Sequence, residues 1–127
     1  MRLFRKSEEK AARQAAAQAE ITRLKGLAIE ELALLLLPRL GAEGPERYLR
    51  EQQLCEYLLR DFPDIGQTKP LQLMARVGRA LVRLEDAGLA ESLALERSPR
   101  WTITDLGASV LAEGTAPQRL AAPSSPS

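Results

Sequence analysis

At 127 residues the chain has room for one domain with a hydrophobic core, and not comfortably for two. Apolar residues make up 45% and charged residues 28%, an ordinary globular balance, while aromatics at 4% leave the core to Leu, Ala, Val and Ile. With one cysteine and no histidine, an internal disulfide is excluded and a metal site would have to be built mainly from carboxylates.

The formal charge of +1 hides a strong segregation. Residues 1–25 hold seven basic residues against three acids, residues 26–68 four against eight, and residues 69–100 six against four. A basic arm, an acidic middle and a basic late segment follow one another. No apolar h-region follows the basic start, so no secretory signal is expected. The apolar run Leu32–Leu37 is far too short to span a bilayer, and a cytoplasmic location is expected by elimination.

In chain order, Ser7 to Leu37 reads as helix. Ser7 is followed by Glu8 and Glu9, a favourable first turn, although Lys10 stands where a capping box needs Glu or Gln. Alanine dominates positions 11–19. Ile21, Leu24, Ala28, Leu32 and Leu35 then recur at three- and four-residue steps. Gly26 divides an arm from a core helix, and Pro38 with Gly41 is expected to end it. Pro45 suits the start of a second helix over 46–61, with Leu54, Cys55, Leu58, Leu59 and Phe62 on its inner face. Cys55 on that face reads as a small buried residue rather than a reactive thiol.

Residues 61–66 have turn composition, and a third helix is expected from about Pro70 to Ala87, stopped by Gly88. Glu91–Arg97 and Arg100–Thr104 are strand candidates flanking Ser98-Pro99, a hairpin signal. Thr104-Asp105 can cap a last helix over 106–112, ending at Gly114. Residues 115–127 are rich in Pro, Ser and Ala and are expected to be a disordered tail. The expected fold is mainly α with a small β-hairpin: a basic Ala-rich helical arm over 1–26, then a domain over 27–114.

On a wheel of about 100° per residue, the third helix gathers Leu73, Met74, Val77, Leu81 and Leu84 on one side. Gln72, Arg76, Arg79 and Arg83 fall within roughly a 60° arc on the other side, and no acid interrupts it, although Asp86 lies near its edge. Guanidinium groups carry permanent charge for phosphates and a planar fork for guanine O6 and N7, and a Gln can pair with adenine. An amphipathic helix must put something polar outward in any case, and arginine is a good helix former. The hairpin weights the balance toward nucleic acid: Arg97 and Arg100 bracket its tip, and Lys69 precedes the helix where a phosphate contact fits.

Arg76-Val77-Gly78-Arg79-Ala80-Leu81-Val82-Arg83-Leu84-Glu85-Asp86-Ala87-Gly88-Leu89, followed by Arg100-Trp101-Thr102-Ile103-Thr104-Asp105-Leu106-Gly107, resembles the N-terminal winged-helix domain of Mrr-type restriction endonucleases. There an Arg-Val-x-x-Ala-x-x-x-Leu…Ala-Gly-Leu run precedes a strand ending Trp-x-Ile/Leu-Thr, then x-x-Gly. The general form is similar to PadR-like regulators. The likeness covers about residues 70–113, with weaker agreement back to residue 27. It implies a winged helix-turn-helix with residues 71–87 as recognition helix and 91–104 as wing. The family's catalytic domain has no counterpart, and the arm at 8–25 lies outside the pattern.

No catalytic chemistry is expected. Pro63-Asp64 and Glu8-Glu9-Lys10 stand in the wrong order for a restriction nuclease, and no phosphate loop or nucleophile–base arrangement exists. Trp101 reads as packing beneath the hairpin, with base stacking as the alternative. The expected role is double-stranded DNA binding, by a transcriptional regulator or mobile-element accessory, through Lys69, Gln72, Arg76, Arg79, Arg83, Arg97 and Arg100. No cofactor and no small-molecule effector are expected. A homodimer through the arm is expected: Ala17, Ile21, Leu24 and Ala28 lie at heptad-like spacing, but the seam is short and buries little. Packing of the arm against a partner's core helix is therefore favoured over coiled-coil pairing, with a solvated basic helix as the alternative. The rival function is a winged-helix protein-interaction module, favoured if acidic neighbours neutralise the arginine stripe.

Overall fold

The computed structural model describes residues 2–62, 71–95 and 98–121. Within them lie six helices and a three-stranded antiparallel sheet. Helix α1 spans Arg2–Gly26, beginning upstream of Ser7, because nothing between Arg2 and Lys6 breaks a helix. Its exposed first half, residues 8–16, carries the alanine run; its second half buries Ala17, Ile21 and Leu24 within the chain itself.

The helical register breaks at Leu27-Ala28, and α2 (Ile29–Glu43) follows with Glu30 and Glu31 in its first turn. Pro38 does not end α2 but lies inside it. An interior proline costs about 3 kcal/mol, yet Leu36 and Leu37 before it and Leu40 after it are all buried. Their shared burial carries the helix through. Gly41 serves packing instead of termination: a Cβ there would collide with the Leu111 side chain.

The second expected helix is shortened: its first residues give way to a turn and a two-residue strand, and only Glu51–Leu58 is helical. Glu46 takes a positive φ of 70°, a conformation that prevents helix entry there. Strand β1 (Leu49–Arg50) follows, and only then α3 (Glu51–Leu58). Gln53 Oε1 accepts the Arg50 backbone N–H at 2.9 Å, which closes the start of α3. Leu54, Cys55 and Leu59 are buried as the pattern predicts.

Helix α4 (Leu71–Asp86) buries Leu73, Val77, Ala80, Leu81 and Leu84. It ends at Gly88, φ 79°, where Leu89 N–H donates to the Leu84 carbonyl and Gly88 N–H to that of Glu85. Strands β2 (Ala90–Leu95) and β3 (Ser98–Ile103) pair from Ala90↔Ile103 to Leu95↔Ser98. Ser98-Pro99, expected at the hairpin tip, therefore belong to strand β3. Pro99 lies where β3 is paired on one side only, so its missing N–H is tolerated. Sheet order is β1-β3-β2.

Thr104 caps α5 (Asp105–Glu113), its hydroxyl accepting the Gly107 N–H at 2.9 Å, and Gly114 closes it in a left-handed conformation. Within the stretch expected to be disordered, Ala116–Ala121 form a further helix, α6, with Ala116 and Leu120 buried. A proline-rich composition does not prevent folding when a leucine finds a core to enter. One core cluster joins Ile21 and Leu24 of α1 to leucines of α2, α3 and α4, Trp101 and Ile103 of β3, Val110 of α5 and Leu120 of α6.

Candidate functional site

The side of α4 that carries the arginine stripe is flanked by other helices. Lys25 Nζ, at the end of α1, donates to Gln72 Oε1 at 3.2 Å. Arg76 reaches the Leu27 carbonyl in the α1–α2 turn with Nη2, while its Nε is buried with no hydrogen-bond partner among the described residues. Arg83 donates to the Leu120 carbonyl of α6, and its Nε stands 3.8 Å from Glu30 of α2. Arg76 and Arg83 are both half-buried. Arg79 is exposed. Of the expected stripe, Gln72, Arg76 and Arg83 are thus engaged within the chain, and Arg79 points to solvent. Lys69 and Arg97 lie outside the described residues.

The outermost line of α4 has a different character. Leu71 is 69% exposed and Val82 47% exposed, with Ala75 also exposed between them. Gly78 continues that line and lets α3 approach: a Cβ there would come 3.1 Å from Glu51 Oε1. Burial pushes the Glu51 carboxyl above the usual carboxylate range. Further along, Glu85 Oε2 accepts from the Ser92 backbone N–H at 3.1 Å and from Ser92 Oγ at 2.6 Å, tying α4 to β2.

The second cationic locus sits on the sheet. Arg100 of β3 stands directly opposite Arg50 of β1 and, on its other side, opposite Leu93 of β2. Their neighbours Leu49 and Trp101 are buried, so strand alternation turns Arg50 and Arg100 to the outer face. Beside them Tyr48, Gln52, Gln53 and Glu56 line a groove of about 450 Å³. Arg50 is absent from the sequence-derived set because the segment reads as helix. The alternation Tyr48-Leu49-Arg50, facing Arg100-Trp101, is the signal that would find it.

Trp101 is 3% exposed and cannot stack on a base in this conformation; its indole N–H has no partner among the described residues. Cys55 is buried, and desolvation with a smaller contribution from Glu56 pushes its thiol up to about 11. Among the described residues no cluster of acids and cysteine has the makings of a metal site, and no helix is long and apolar enough to cross a membrane. No family model matches the chain, and neither a curated protein nor a solved structure is significantly similar to it.

Proposed function

We propose that this chain is a winged-helix DNA-binding protein, a regulator of transcription or an accessory of a mobile element, with α4 entering the major groove and the β2–β3 hairpin as wing. The observation that carries the reading is topological. Helix α2, strand β1, helices α3 and α4 and the hairpin follow in the order of a winged helix, with the sheet ordered β1-β3-β2. The major groove of B-DNA is about 12 Å wide and admits one helix. Ala75 keeps the outer face of α4 slim, Val82 offers a methyl surface to thymine, and Arg79 supplies the guanidinium fork. In this reading Arg76 and Arg83 hold the reading helix in place, and Arg79 and Arg100 meet DNA.

The test is fluorescence anisotropy against a mixed-sequence duplex over a salt series, with wild type beside Arg79→Glu. Binding that weakens steeply with salt, and is weakened further in the variant, supports the reading. A folded wild-type protein that fails to bind at low salt overturns it.

A protein-interaction module is the second reading, favoured by the exposed apolar line Leu71, Ala75 and Val82 and by the Glu30–Arg83 and Glu51–Gly78 contacts. Failure of the duplex titration, together with retention of a partner by wild type but not by Leu71→Asp/Val82→Asp, would establish it.

A further inference from the structure

We propose that Arg50 and Arg100 form a clamp for a phosphate oxyanion at the sheet edge, contributed by the DNA backbone if the chain binds DNA as argued above. The inference rests on that reading only for the source of the phosphate.

The pair is directly in register across β1 and β3, and opposed Cβ atoms in antiparallel strands are about 4.5–5.5 Å apart. Like charges placed directly opposite are unfavourable to the sheet, so the arrangement does not serve folding. Neither guanidinium makes an ion pair or side-chain hydrogen bond among the described residues. Arg50 contributes only its backbone N–H, to Gln53 Oε1. Both side chains instead line the 450 Å³ groove, with Tyr48 at 37% exposure. The one carboxylate among the described lining residues, Glu56, accepts from Gln52 Nε2 at 3.4 Å, and the lining keeps a net positive charge.

Two planar forks converging on one groove suit a tetrahedral oxyanion, since each guanidinium can offer two parallel N–H donors to a phosphate. The Tyr48 hydroxyl adds a donor beside them. A phosphodiester and a free pyrophosphate share this chemistry, and two titrations tell them apart.

Pyrophosphate is titrated into the labelled full chain while the arginine Nε–Hε resonances are followed by NMR, for wild type and for Arg50→Gln/Arg100→Gln. In parallel, duplex affinity is measured over the salt series for both proteins. The clamp predicts shifts of the Arg50 and Arg100 resonances in wild type. It also predicts a drop of roughly two in the slope of log affinity against log salt in the variant. The variant is expected to unfold at the same or a higher urea concentration than wild type, which a structural role would reverse. Resonance shifts without any duplex binding would keep the clamp, assign it to a free phosphate ligand and remove the DNA reading. Duplex binding with an unchanged salt slope and still resonances would overturn the clamp and leave the DNA reading intact.

Discussion

Arg76 donates to the carbonyl of Leu27, across from α4 to the turn between α1 and α2. That carbonyl lies where the helical register breaks, and such groups need a partner when covered. The guanidinium supplies one, so a residue of the expected reading stripe acts as a strut between helices. Arg83 repeats the device at the other end of α4, toward Leu120.

Stability should separate the two kinds of arginine. Arg76→Ala is expected to cost about 1–3 kcal/mol, because it strands a half-buried carbonyl. Arg79→Ala should stay within about 0.5 kcal/mol, as for exposed sites generally. Urea unfolding of the two variants measures both. Equal losses would contradict the strut.

Helix α6 is predicted to be part of the cooperative fold. Leu120 is 1% exposed, its carbonyl receives Arg83, and Arg119 Nε donates to the Ala87 carbonyl at 3.3 Å. Leu120→Ala should cost about 2–5 kcal/mol, the usual range for an emptied core leucine. A denaturation midpoint unchanged from wild type would mean that the helix only rests on the surface.

Two glycines should respond in opposite directions to alanine. At Gly107 a Cβ would collide with the Leu89 carbonyl oxygen and come 2.8 Å from Ile103 Cγ1, so α5 would have to move off the sheet. The expected loss is about 1–3 kcal/mol. At Gly26 a Cβ meets nothing within 4 Å, and the residue ends α1. Alanine there should stabilise by roughly 0.5–1 kcal/mol. Thermal melts of both variants decide it.

Cys55 should react with a disulfide reagent only through unfolding. Its thiol is buried and its titration is pushed up to about 11, so it stays protonated at neutral pH. In the unfolded chain a thiol ionises near 8.5. Between that pH and 11 the unfolded state holds fewer protons, and stability falls as pH rises. Cys55→Ser should flatten this part of the pH–stability curve. Rapid labelling of the native protein at pH 7 would show the thiol to be accessible.

Much of the architecture is legible in the chain because it depends on local periodicity. The inner face of α4, the cap at Thr104 and the stop signals Gly88 and Gly114 all follow from spacing and backbone preference, and each occupies its expected place. Strand β1 is not legible in the same way. Its two residues depend on pairing with Arg100 and Trp101, about 50 residues away in the chain, while the local composition favours helix. Helix α6 hides for a related reason: Ala116 and Leu120 enter the core, while the surrounding residues have the composition of a tail.

The arginine stripe marks the boundary most sharply. Sequence periodicity determined that Gln72, Arg76, Arg79 and Arg83 share one arc of α4, since a helix repeats every 3.6 residues whatever surrounds it. Only the tertiary structure decided that Arg76 and Arg83 of that arc are drawn to the Leu27 and Leu120 carbonyls, leaving Arg79 exposed with Leu71, Ala75 and Val82. A wheel orders the side chains around an axis. Which of them meet water depends on where distant helices pack, and that is set by burial summed over the whole core.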